Sequence, residues 1–239
     1  EANGLREDTM VVFTGDNGMN MGHHGVYGKG NATFPLNMFE ESVKVPFIVS
    51  RAGSIGQGAV RADLVSQYDF MPTLLEYVGL DRFEPAHLPG RSFAAALRGD
   101  ARPGDPFVVV FDEYGPVRMI RNREWKYVHR IRWRANELYD LRNDPGEERN
   151  LAGDAGCRGV EDALREQMTA WFSRFVDPER DGAKERVTGS GQRGPCGAAG
   201  AGRESFSSER VDAILADMEK SGGGGPVPGK SDHGHPEHL

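Results

Sequence analysis

Residues Thr9–Gly30, TMVVFTGDNGMNMGHHGVYGKG, decide the reading of this chain, because a β-type run ends abruptly in Gly15-Asp16-Asn17-Gly18 and is followed by His23, His24 and Lys29. Thr9 to Thr14 is apolar or β-branched on consecutive positions, which predicts a strand covered on both faces of a parallel sheet. Ligands of open α/β sheets bind beyond the carboxyl ends of the strands, so polar groups are expected to converge here.

Working outward, Val43–Ser50 (VKVPFIVS) predicts a second strand, with Pro46 marking a strand start or a bulge because proline donates nothing to the ladder. Ser66-Gln67-Tyr68-Asp69 offers helix-cap chemistry before FMPTLLEYVGL, with Pro72 near the first turn and Gly79 as a C′ stop. From Pro106 the pattern changes to short aromatic and β-branched runs, FVVVFDEYG, VRMIRNREWKYVHR and ELYDL, joined by turn-prone Arg121-Asn122-Arg123 and Asn143-Asp144-Pro145-Gly146. This predicts a small antiparallel sheet. Val160, Leu164, Met168, Trp171, Phe172 and Phe175 recur at helical spacing and predict a helix over Gly159–Val176, packed on that sheet.

The chain has 239 residues, 38% of them hydrophobic, enough for one substantial core and a smaller second unit. Its net charge of −7 argues against a sequence-independent nucleic-acid or membrane-surface binder, which needs a broad basic face. Any anion must be met by a local cluster. No apolar run reaches the roughly 20 residues of a membrane span. Cys157 and Cys196 have no ligand-like spacing and are expected as free thiols. The polar start, Glu1 to Asp8, lies only a few residues before a buried-type strand, so the sequence reads as opening mid-domain.

Asp16 and Asn17 are hard oxygen donors on a turn, suited to Ca²⁺ or Mg²⁺ rather than zinc, although a calcium site wants six to eight oxygens. Taken singly, Asp-Asn-Gly is also a tight turn, His23 and His24 are also solvated loop residues, and Lys29 is also an exposed cation. Lys29 stands between glycines that allow close approach to a ligand, and an ammonium beside a divalent cation complements sulfate or phosphate oxygens. The ordered combination within this one stretch favours a site.

That combination resembles the C-terminal half of the sulfatase family, within the alkaline-phosphatase-like superfamily. FTGDNGMNMGHHGVYGKG, NMFEESVKVPFIVS, QYDFMPTLLEYVGL, LPGRSFAAALRG, WKYV and ELYDLRNDPGEERNLA resemble family segments in family order, over roughly residues 1–177. The resemblance implies that Asp16 and Asn17 are the late pair of ligands to a catalytic Ca²⁺ (Mg²⁺ being the alternative). It also implies that Lys29 contacts the sulfate ester, and that His24, with His23 beside it, lies by the substrate. The family's C-x-P-x-R or S-x-P-x-R motif, whose first residue becomes the formylglycine nucleophile, is absent. Cys157 is followed by Arg-Gly-Val-Glu and Cys196 by Gly-Ala-Ala-Gly.

The fold expected is α/β: the C-terminal part of a mixed-sheet sulfatase domain (1–105), a small antiparallel sheet with a C-terminal helix (106–177), and a Gly-rich disordered tail (178–239). The function expected is that of a fragment of a sulfuric ester hydrolase acting on a small-molecule or carbohydrate sulfate ester, with catalytic Lys29 and His24. The alternatives are a phosphodiesterase or phosphonate hydrolase of the same superfamily, and a non-catalytic remnant serving as an interaction module. Within the tail, Ser208–Lys220 carries an apolar stripe that could dock, and Asp232–His238 a His-rich tract that could chelate a metal. The basic run Arg118, Arg121, Arg123, Lys126, His129, Arg130, Arg132 and Arg134 is expected as an exposed strand face.

Overall fold

The computed structural model describes residues 3–30, 33, 36–80, 87–100, 107–112, 117–131, 135–179 and 181–183. Arg132, Arg134, Cys196, the tail stripe and the His-rich tract lie outside the described residues. In chain order the elements are strands β1 (Val11–Thr14), β2 (Asn20–Met21) and β3 (Tyr27–Gly28), helix α1 (Glu40–Val43) and strand β4 (Phe47–Ser50). Helices α2 (Phe70–Tyr77) and α3 (Ala94–Leu97) follow. Then come β5 (Val108–Asp112), β6 (Val117–Arg121), β7 (Trp125–Arg130), β8 (Glu137–Asp140) and α4 (Arg158–Phe175).

Period-2 apolar runs give β5–β8 as a four-stranded antiparallel sheet in the order β5-β6-β7-β8. Its two faces carry two cores. On one, Val109, Ile120, Tyr127 and Leu138 meet Leu164, Met168 and Phe172 of α4. Each large side chain buried there contributes about 1.5–3 kcal/mol. On the other face, Val117, Met119 and Val128 pack on Met38, with Leu36 and Val43 against them, so the segment containing α1 roofs the sheet.

Strand β1 departs from its expected setting. It pairs antiparallel with β4, Val12 opposite Val49 and Phe13 opposite Ile48, and only one face is covered. On that face Val12, Phe47 and Val49 meet Phe70, Leu74 and Phe93. Phe47 packs edge-on against Phe70 and Phe93, at 5.9 and 5.5 Å. Val11, Phe13 and Ile48 on the other face are 59%, 61% and 59% exposed. Apolar character at every position cannot distinguish a two-sided strand from a one-sided one whose outer face is also apolar.

Pro46 immediately precedes β4, as its missing donor requires. Ahead of α2, Ser66 and Asp69 form a reciprocal capping box around a 3₁₀ turn, Gln67–Asp69. Asp69 is buried, accepting from Ser66 N at 2.9 Å and Arg91 N at 2.8 Å. Gly79, with φ 79°, ends the helix. No helix among the described residues is long and apolar enough to cross a membrane.

The basic strand run is not an exposed face. Lys126 is 0% and Arg130 6% exposed. Arg130 pairs with Glu137 at 2.6 Å, Arg121 with Glu40 at 3.0 Å, and Arg118 with Asp181, so each of these cations is neutralised inside the protein. Of the run's described members, Arg123 is exposed. Asp181, in the segment after α4, is itself buried. Cys157 is a free thiol.

Candidate functional site

The turn after β1 carries Asp16 and Asn17, both exposed, with Asn17 N donating to Asp16 Oδ1 at 2.8 Å. Gln67, on the 3₁₀ turn before α2, fixes this turn from behind: its Nε2 donates to Gly15 O and Asp16 O, both at 2.7 Å. Gly18 N donates to Ser42 O of α1 at 2.9 Å. Lys29 follows β3 and is exposed. The next residue, Gly30, is clamped by Asn37 N at 3.0 Å and Thr33 Oγ1 at 3.2 Å, both donating to Gly30 O. A Cβ on Gly30 would stand 2.7 Å from Asn37 O, so only glycine permits this approach.

Between the two turns lies a buried polar knot. Asn20 Nδ2 donates to Asn37 Oδ1 at 3.1 Å and to Ser42 Oγ at 2.7 Å, while Asn37 Nδ2 donates to Thr33 Oγ1 at 2.7 Å. These bonds tie Asn20 to Asn37 and Ser42, although Asn20 Oδ1 is buried without a hydrogen-bond partner. The outcome is that Asp16, Asn17 and Lys29 line one open cavity of about 960 Å³, with Thr14, Glu40 and Arg121 also on its wall. The cavity joins two oxygen donors to an ammonium, an arrangement that can hold a cation and an anion side by side.

The histidines stand elsewhere. His23 is exposed and its Nδ1 accepts from Met21 N at 3.4 Å. His24 is not on the cavity wall. Its ring lies flat on Phe39, centroids 3.6 Å apart and planes within 7°, and its Nε2 is 3.4 Å from Glu41 Oε2.

Beneath this stands a group of charges that sequence reasoning missed. Lys126 Nζ is 2.8 Å from Glu40 Oε1 and 2.5 Å from Glu147 Oε1, and donates to Met38 O at 2.9 Å. Glu147 Oε2 accepts from Glu40 N at 2.7 Å. Burial pushes the Glu147 carboxyl above its ordinary range despite Lys126. Burial acts the same way on Glu40, but Lys126 and Arg121 outweigh it and hold that carboxyl below its ordinary value of 4.5. The side-chain atoms of His24, Glu41 and Glu147 lie within 4.8 Å of one another, close enough to chelate a metal, but the Lys126 ammonium already supplies positive charge at Glu147.

The depressed Glu40 carboxyl gives a signed expectation. Glu40→Gln should cost about 1.5–3 kcal/mol at neutral pH, the range for hydrogen bonds to charged groups. A lowered folded-state value means the wild-type advantage is complete above 4.5 and is lost as pH falls below it toward the folded-state value. Paired denaturant titrations across acid pH check this. A gap that stays constant there would show that Glu40 is not held ionised by its partners.

The chain has the α/β architecture of the alkaline-phosphatase-like superfamily, with two oxygen donors and an ammonium on the wall of one cavity. The family model described as N-sulphoglucosamine sulphohydrolase, C-terminal, matches residues 22–173, and the chain belongs to the sulfatase family. It is 35% identical over 182 residues to the Delta 4,5-hexuronate-2-O-sulfatase of Bacteroides thetaiotaomicron, covering 72% of this chain and 36% of that protein. Its fold matches a solved 2-O GAG sulfatase with a TM-score of 0.61 at 29% identity, covering 75% of this chain and 41% of the other. It also matches the phosphonate monoester hydrolase of Agrobacterium radiobacter with a TM-score of 0.62 at 27% identity, covering 74% and 37%. The chain spans about a third of the length of the curated relatives it matches.

Proposed function

We propose that this chain supplies the charge-neutralising part of a hydrolase of sulfate monoesters, small-molecule or carbohydrate, whose nucleophile lies outside these 239 residues. The observation that carries the reading is that Asp16, Asn17 and Lys29 line one cavity in a chain of the sulfatase family.

The donor chemistry fits Ca²⁺, with Mg²⁺ as the alternative: a carboxylate and an amide are hard oxygen ligands, two of the several such an ion requires. When bound, the cation supplies Lewis-acid polarisation of a sulfate oxygen. Asp16 and Asn17 would hold the cation, and Gln67 keeps their backbone in place. Lys29, on the wall of the same cavity, would add an ammonium for the remaining oxygens, whose negative charge grows as the ester bond breaks. His24, turned toward Phe39 and Glu41, supports the loop between these groups.

The test uses the full coding sequence. Asp16→Ala should weaken Ca²⁺ binding and lower turnover of an aryl sulfate together, by about 10²–10³ in kcat. Lys29→Ala should lower kcat/KM for the sulfate while leaving Ca²⁺ affinity in place. Normal activity of both variants would defeat the assignment. The likeness to a phosphonate monoester hydrolase favours one second reading, in which the same charges serve phosphoryl oxygens. Parallel kinetics on aryl sulfate and aryl phosphonate esters separate the two, and a marked phosphonate preference would replace the first by the second.

A further inference from the structure

Among the described residues, two other than glycine adopt a positive φ, His24 at 55° and Glu147 at 54°. Such a backbone is strained for a residue with a side chain and persists only where surrounding contacts over-determine it. The two lie in different halves of the chain, yet their side chains converge on the same cluster.

Glu147 is 3% exposed, and both of its carboxylate oxygens are committed. Oε2 accepts from Glu40 N, the first amide of α1, and Oε1 takes the Lys126 ammonium. The first amides of a helix have no partners within it, and Phe39, at the N-cap of α1, provides no side-chain cap. Glu147 supplies that cap across 107 positions of sequence.

What α1 touches gives this cap its consequence. Ser42 O receives Gly18 N, directly after the Asp16–Asn17 turn, and Asn37, just before α1, donates to Gly30 O, directly after Lys29. Both ligand-facing turns therefore hang on one four-residue helix and its lead-in. That helix is anchored by Lys126 of β7 and by Glu147 in the loop after β8.

We propose that Glu147 is a positioning residue of the anion site: it caps α1 and so sets where the Asp16–Asn17 turn and the Lys29 turn stand relative to one another. The inference rests on reading those three residues as the ligand-facing set. It makes the small antiparallel sheet part of the site's support.

Two variants of the full chain test it, Glu147→Gln, which keeps an oxygen acceptor without the charge, and Glu147→Ala, which removes both. Amide hydrogen exchange at Gly18 and Asn37 should accelerate roughly tenfold or more in Glu147→Ala and less in Glu147→Gln, while amides of β6 and β7 keep their wild-type protection. Ca²⁺ affinity, measured by calorimetry with the metal alone, should fall by about 10- to 100-fold in Glu147→Ala, as for other residues that orient ligands without touching the ion. Removing both charges together, in Glu147→Gln with Lys126→Met, should recover part of the protection at Gly18 and Asn37.

If Gly18 and Asn37 exchange as in the wild type while overall stability falls, Glu147 serves the fold alone and the proposal is overturned. If the exchange response is as expected but the wild-type protein made from the full coding sequence takes up no Ca²⁺, the positioning role stands and the metal reading of Asp16 and Asn17 fails.

Discussion

Lys126→Met is expected to lower the free energy of unfolding by about 3–5 kcal/mol, seen as a fall in denaturant midpoint at an unchanged slope. The lysine is fully buried and its ammonium is the positive partner of two carboxylates, Glu40 and Glu147. Methionine fits the volume but leaves Glu147 without a cation and Glu40 with Arg121 alone. Stranding a buried charge costs far more than the intact pair contributes, because the desolvation remains while the attraction is gone. Glu147 would then hold a proton to higher pH still, so the variant's deficit should grow as pH rises. The control is Arg142→Ala: its pair with Glu124 is 57% and 50% exposed, and its loss should cost about 0–1 kcal/mol. A Lys126→Met deficit no larger than that control would mean that the cluster is wet.

How much of this was legible in the sequence depended on range. The Ser66/Asp69 box, the Gly79 stop, the period-2 strands of the small sheet and the 3.6-period face of α4 are local patterns, and the structure carries them within a residue or two. The direction of pairing at β1 was not, because Val11 to Thr14 is apolar or β-branched throughout and its partner β4 comes after a long loop. The basic run was misread for a related reason. Alternation along β7 puts Lys126, Val128 and Arg130 on one face, but that this face is roofed by Met38 and Leu36 is a contact across nearly ninety positions. Asp16, Asn17 and Lys29 were picked out by residue type and by the family resemblance. Glu147 falls inside the family-like segment ELYDLRNDPGEERNLA, but no local pattern there assigns it a role, because the helix it caps lies 107 positions away. The one local hint was Glu40-Glu41-Ser42 at the start of α1, acidic residues where the first turn of a helix favours them.

Gly18→Ala is expected to cost about 2–4 kcal/mol and to abolish Ca²⁺ uptake at the neighbouring turn, the first part measured by denaturant unfolding and the second by calorimetry. A Cβ at this position would lie 1.9 Å from Glu41 O and 2.9 Å from Glu41 C, both backbone atoms of α1, which cannot swing aside as a side chain could. Either β1's trailing turn or α1 must retreat. In both cases the bond from Gly18 N to Ser42 O is lost, and Asp16 and Asn17 move away from the turn bearing Lys29. The substitution does not depend on φ, since Gly18 is not among the positive-φ glycines, so the whole effect is one of contact. Gly159→Ala is the matched control: a Cβ there, in the first turn of α4, meets nothing within 4 Å, and the change should gain up to about 0.5–1 kcal/mol of helix preference. Were Gly18→Ala to unfold like the wild type and still bind the metal, α1 would be free to shift without cost, and the clamp joining the two ligand-facing turns would not exist.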